Sequence, residues 1–221
     1  MITKTKEQVI AITAPDFATV PIIIRGTAPL VIERFSKKAE LMAKMAQGSQ
    51  GKNKKERTAR DYERDAEEAR YRSPEGWEGA NVAAFRSAMI SACRLVGFKM
   101  TIAKLSVFVE ADAFDIVDGL PIIRIYGQSI TFTAHTRNST GVADVRSRPQ
   151  YRDWAARLRV KYDRGQFSLT DIINLLSRVG AQVGIGAGRP DSKASAGCGW
   201  GTFELVSGND VEEVCNHFGI V

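Results

Sequence analysis

The sequence predicts an α+β domain. Two strand–helix–strand patterns lie at opposite ends of the chain, and further β segments separate them. The hydrophobic fraction is 44% over 221 residues, enough for one sizeable core. These observations predict a single domain over 1–221, with residues 36–76 set into it as a charged helical insertion.

Pro21-Ile22-Ile23-Ile24-Arg25-Gly26 is short, apolar and β-branched, so it predicts a buried strand, which Thr27–Ile32 extends past a bend at Pro29. From Ser36 to Met45 helix formers follow a serine placed as N-cap. Residues 47–55 hold no apolar side chain and read as a mobile loop. Thr58–Tyr71 is charged all round; residues 52–72 carry eight Lys/Arg and six Asp/Glu. A helix polar on every face is solvated or laid against a partner. After the turn cluster Ser73–Gly79, the residues Val82, Phe85, Met89, Cys93 and Val96 share one helical face, with Arg86 and Arg94 on another and Gly97 as C-cap. Leu105–Glu110 alternates as a strand. Leu120–Ile125 and Ser129–Thr133 predict two more, paired as a hairpin about Tyr126-Gly127-Gln128, and Arg137–Tyr151 reads as a basic connection.

In Trp154–Tyr162 the residues Leu158, Val160 and Tyr162 point one way and Arg157, Arg159 and Lys161 the other. Ser168-Leu169-Thr170-Asp171 opens a helix with a capping-box arrangement, and Leu169, Ile172, Ile173, Leu176 and Val179 form its apolar face. Thr202–Val206 is a strand and Asp210–Phe218 a closing helix. The order predicts a ferredoxin-like (RRM-like) βαββαβ core, helices on one face of the sheet, with the insertion projecting after the first strand.

Thirty-one Lys+Arg against 25 Asp+Glu give a formal charge of +6, which favours an anionic partner. Cys93, Cys198 and Cys215 are widely spaced, so neither a disulfide framework nor a zinc site is expected. The start, MITKTKEQV, is polar, and no apolar run approaches the ~20 residues of a membrane span, so the chain reads as cytoplasmic with no membrane partner. Metalloprotease, P-loop and nucleophile-elbow motifs are absent, no cofactor motif is present, and His135 and His217 are the only histidines. Asp112, Asp115 and Asp118 could meet a metal or simply decorate a loop. The expectation is a protein that is not an enzyme.

The chemistry concentrates elsewhere. Seven glycines stand at 180, 184, 186, 188, 197, 199 and 201. Such density implies positive φ or close approach of another molecule to the main chain. A turn over Gly184, Gly186 and Gly188, with Arg189 beside it, can present N–H groups to a phosphate; equally, it can be a loose connection between helix and strand. It follows a helix, the reverse of a dinucleotide-binding turn. Arg137, Arg146, Arg148, Arg152, Arg157, Arg159 and Lys161 oppose only Asp144 and Asp153 within 137–161, a surplus of five charges. Tyr151 and Trp154 interleave them, a pairing that suits single-stranded nucleic acid, although a solvated strand face would look alike.

A helix running into Val183-Gly184-Ile185-Gly186-Ala187-Gly188-Arg189-Pro190, then small residues, then Gly199-Trp200-Gly201-Thr202-Phe203-Glu204-Leu205, resembles the RAMP superfamily. The similarity is to the backbone subunits of CRISPR effector complexes and their stand-alone relatives. It implies a ferredoxin-like core with a C-terminal glycine-rich loop, a long insertion after the first strand, and binding of single-stranded RNA along a row of like subunits. The expected interface comprises Gly184, Gly186, Gly188 and Arg189 for phosphates, Arg137, Arg146, Arg148, Arg152, Arg157 and Arg159 for backbone charge, Arg86 facing the same groove, and Lys52, Lys54 and Lys55 wrapping the strand. The expected partners are single-stranded RNA or DNA and further copies of the chain in a filament or ring. The alternatives are a sponge for nucleotides or cyclic oligonucleotides, and a self-assembling structural protein without nucleic acid.

Overall fold

The structure, a computed structural model, describes residues 14–34, 61–137, 143–192 and 198–220. Among these it is a mixed α+β protein with antiparallel sheets and five α-helices. The helix expected from Ser36 and the loop 47–55 lie outside the described residues.

The largest ladder joins β1 (Phe17–Gly26) to β10 (Ala155–Asp163), from Phe17↔Asp163 to Arg25↔Ala155. β11 (Phe203–Leu205) flanks β1 and β5 (Val107–Glu110) flanks β10, giving the order β11-β1-β10-β5 with every neighbour antiparallel. In the chain, helix α2 (Val82–Cys93) falls between β1 and β5, and α4 (Leu169–Arg178) between β10 and β11.

Strand periodicity decides which face these helices cover. Ala156, Leu158, Val160 and Tyr162 of β10 are buried, while Arg157 is exposed and Arg159 and Lys161 half-buried on the opposite face. Phe85, Met89, Ile172 and Leu176 bring the helices onto the apolar face, all at 0% exposure. Each such side chain contributes about 1.5–3 kcal/mol by leaving water. Ser168 caps α4 in a full capping box: the Asp171 N–H donates to Ser168 Oγ at 3.2 Å, and the Ser168 N–H donates to Asp171 Oδ2 at 2.8 Å.

Two smaller sheets differ from the sequence expectation. Residues 143–151, expected as a connection, form β9 (Ala143–Tyr151), which pairs along its length with β8 (Ser129–Arg137) and, at Gln150 and Tyr151, with β2 (Leu30–Val31). Pro149 is tolerated because its missing N–H faces the side where β2 stops; its carbonyl accepts there from the Ile32 N–H at 3.1 Å. The third sheet has the order β3-β4-β7-β6, with β3 (Tyr71–Arg72), β4 (Glu78–Asn81), β6 (Ala113–Phe114) and β7 (Pro121–Arg124). β7 and β8 therefore do not form the expected hairpin, and Tyr126 between them bridges to Ala155. The sequence expectation also missed α3 (Met100–Ser106).

Where the chain leaves β2, Arg34 is buried. It pairs with Asp115, with Asp118 at 3.2 Å, and donates to the Arg70 carbonyl at 2.8 Å. Where the chain returns, α1 (Tyr62–Glu68) starts at Asp61, whose carboxylate accepts from the N–H groups of Glu63 and Arg64, and α1 packs on β9. The last helix, α5 (Asp210–Phe218), sets Val214 against Ala155 and Ile23 on the sheet face away from α2 and α4.

Candidate nucleic-acid interface

The glycine-rich stretch owes its composition mainly to self-packing. A π-type turn, Val179–Val183, ends α4, and the Gly184 N–H donates back to the Val179 carbonyl at 2.7 Å. At Gly186 φ is +74°, and a Cβ would lie 2.5 Å from the Val31 carbonyl oxygen. At Gly201 φ is +67°, and a Cβ would overlap the Ile185 carbonyl. The N–H groups of Ile185 and Ala187 donate to Gly201 and Val31 at 3.0 and 2.9 Å. Three amides expected to face a phosphate, those of 184, 185 and 187, are thus spent inside the protein. The turn is a rigid knot that holds Arg189 beside β2, where its Nη1 donates to the Gly186 carbonyl at 3.1 Å.

Through β2 this knot reaches the β8–β9 hairpin. Arg148 donates to Glu33 Oε1 at 2.7 Å, and Arg146 Nη1 lies 3.5 Å from the same oxygen. Glu33, Gly186 and Arg189 line one cleft of about 480 Å³. Its opposite wall is α2 and the residues leading into it: Ala80, Asn81, Ala83, Ala84, Ser87, Ala88 and Ser91. Asp191 closes the far end, bonded to Ser91 and, at 2.8 Å, to Arg94. The Ser91 hydrogen bond holds the Asp191 carboxyl below the usual carboxylate range; burial opposes it, while Arg94 and Arg189 reinforce it. Arg94, Arg146, Arg148 and Arg189 therefore oppose two carboxylates, Glu33 and Asp191, around one cleft.

Arg157 and Arg159 do not join this group. They lie on the opposite face of the four-stranded sheet from α2, because strand alternation places them opposite Leu158 and Val160. There Arg159 lies 3.5 Å from both Glu110 and Asp112. Lys161 stands 5.0 Å over the Phe17 ring, Phe17 meets Phe108 edge-on at 5.8 Å, and Arg86 stands 4.9 Å over Phe108. Arg86 is also bonded to the carbonyls of Val107 and Lys104, so it faces the sheet edge and not the cleft.

The remaining expected residues scatter. Arg152 is exposed in the β9–β10 turn, near Gln128 and His217. Arg137 ends β8, and its side chain lies outside the described set, as do Lys52, Lys54 and Lys55. Tyr151 and Trp154 cannot stack on bases: they are 1% and 0% exposed, with the Tyr151 hydroxyl on Glu78 at 2.6 Å and Trp154 Nε1 on the Ala28 carbonyl at 2.9 Å. Of the three spaced aspartates, Asp115 is buried, not surface decoration. Burial raises its pKa, but bonds from the N–H groups of Arg72, Asp118 and Val117 prevail and hold it below the ordinary range. Among the described residues no group of three or more His, Cys, Asp or Glu is placed to hold a metal ion. Nor, among them, is any helix long and apolar enough to cross a membrane.

Sequence reasoning missed Glu33 and Asp191, because a search for cationic contacts passes over the acids that organise them. It also missed Phe17 and Phe108, although the outward position of Phe108 between Val107 and Val109 was readable from alternation. Comparison with known families finds no family model that matches this chain, and comparison with curated proteins finds no match.

Proposed function

We propose that this protein binds single-stranded nucleic acid, RNA in the first instance, without catalysis, and self-associates along the strand. One observation carries the reading: the knot bearing Arg189 and the hairpin bearing Arg146 and Arg148 both pack on β2, and Glu33 just after β2 pairs with the two hairpin arginines and lines the cleft with Arg189, so charges far apart in sequence come near one another. A polyanion gains from each guanidinium it meets and releases counterions in doing so. The outward sheet face is the weaker rival, because there Arg159 alone stands against two carboxylates, Glu110 and Asp112, whereas Arg146 and Arg148 share the single carboxylate of Glu33.

The sheet order β11-β1-β10-β5, with α2 and α4 as the two crossovers, supports a ferredoxin-like core. With the glycine-rich turn after α4, it also supports kinship with the RAMP superfamily. Self-association finds support in Phe114, Ile116 and Val117, which are 62%, 60% and 63% exposed in one segment.

The test is equilibrium binding of single strands over a series of salt concentrations, with light scattering on strands of increasing length. Affinity should fall steeply with salt, and the scattering mass should rise in steps with strand length. A flat salt dependence would sink the phosphate-led reading, and a mass independent of length would sink the self-association.

A further inference from the structure

We infer that a groove running from the β3–β4 hairpin to the end of α5 receives an acidic peptide segment of a partner protein. The inference does not depend on the nucleic-acid reading, because the groove shares no lining residue with the cleft beside Arg189. Two cavities of about 500 and 410 Å³ make it, joined along Gly127, Gln128 and Phe218. The first carries Arg124 beside Trp77 and Tyr126, and the second carries Arg152.

Local contacts fix the walls. At Gly127 φ is +132°, and a Cβ would lie 2.4 Å from the Asp153 carbonyl oxygen, so only glycine lets the chain entering β8 lie against the β9–β10 turn. His217 Nε2 lies 3.0 Å from Asp153 Oδ2, which holds the end of α5, and with it Phe218, beside that turn. The carboxylates of the groove are engaged within the protein. Glu67 pairs with Arg70 and Arg72, each at 2.6 Å, and Glu78 pairs with Arg70 at 3.0 Å. Arg124 and Arg152 are exposed, and neither has a carboxylate partner among the described residues. Arg124 instead stands 4.6 Å over the Tyr126 ring and 6.0 Å over the Trp77 ring. Stacking occupies the faces of a guanidinium and leaves its in-plane N–H fork to meet an acid.

Two such guanidiniums along one open groove match an extended chain that carries acidic side chains at intervals. Phe218, common to both cavities, and Ile130, 37% exposed, offer apolar contact to the residues between those acids. The Gln128 amide both donates and accepts, as peptide groups require. A nucleic-acid strand matches less well. Arg124 covers ring faces on which bases would stack, and Glu67 and Glu78 oppose a row of phosphates but accept from peptide N–H groups. The probe is a fluorescein-labelled dodecapeptide of repeated Glu-Leu-Gly, with repeated Gln-Leu-Gly as the neutral control, followed by anisotropy. The full chain is compared with Arg124→Ala, Arg152→Ala, the double variant, and Arg178→Ala, which removes an exposed charge from α4 instead. Thermal unfolding confirms that each is folded.

The acidic peptide should bind and the neutral one should not. Each single variant should weaken binding about threefold and the double about tenfold, as exposed charge pairs do, while Arg178→Ala keeps the wild-type affinity. Equal binding of the two peptides, binding of neither, a double variant that binds like wild type, or an Arg178→Ala that weakens binding as much as the double variant overturns the inference. A double variant that also flattens the salt dependence of single-strand binding assigns the groove to nucleic acid and overturns it as well.

Discussion

Replacing Arg146 and Arg148 together by alanine withdraws two positive charges that share one carboxylate oxygen, Glu33 Oε1, at 3.5 and 2.7 Å. On a single strand each neutralised phosphate contributes about 0.7 to the slope of log affinity against log salt. Two lost contacts should therefore flatten the slope by about 1.4. Between 1 M and about 0.15 M salt that amounts to roughly a tenfold loss of affinity at the lower concentration. The cluster also predicts a gain. Glu33→Gln removes the carboxylate that offsets the pair, so it should steepen the slope by up to about 0.7 and tighten binding. Fluorescence anisotropy of a labelled oligonucleotide over a salt series measures both variants, and thermal unfolding confirms that each is folded. A double variant with the wild-type slope, or a Glu33→Gln that weakens binding in a folded protein, would refute the reasoning.

Further expectations follow from particular contacts. Arg157→Ala, on the far face of the sheet, should change the salt slope by less than about 0.3 in the same assay, under half of one phosphate contact. Tyr151→Phe should leave strand affinity within about twofold while lowering stability in urea by about 1 kcal/mol, the worth of the hydrogen bond to Glu78. Gly201→Ala meets both positive φ and the Ile185 carbonyl, so urea unfolding should show a loss of at least about 1–2 kcal/mol. Asp191→Asn should destabilise by about 1 kcal/mol at neutral pH, measured the same way. Because the folded carboxyl titrates below its unfolded counterpart, its contribution is present above the ordinary aspartate range. It is lost as pH falls through the lowered folded value, so the gap between the two proteins should close in acid.

The sequence displayed elements better than it displayed their assembly. The alternation in 154–162 and the Ser168–Asp171 box foretold β10 and the start of α4, because strand period and capping are local effects. The pairing of β8 with β9 was hidden by Pro149, which argues against a strand unless the brevity of β2 is known. The site was half legible. Arg146 and Arg189 stand out as cations, but only the β2–β9 ladder and the Gly186–Val31 approach bring them to one place, and both are long-range contacts. Conversely, Arg148 and Arg157 look equivalent in sequence, yet they belong to different sheets. The glycines were read as room for a phosphate, whereas at Gly186 and Gly201 the neighbour that needs the room is the chain's own backbone.

Photocrosslinking of a single strand bearing 4-thiouridine, followed by peptide mapping, tests the placement of the strand most directly. Crosslinks should fall on the segments around Arg146–Arg148 and Gly184–Asp191. Crosslinks confined to the outward sheet face, around Phe17, Phe108 and Arg157, would contradict it.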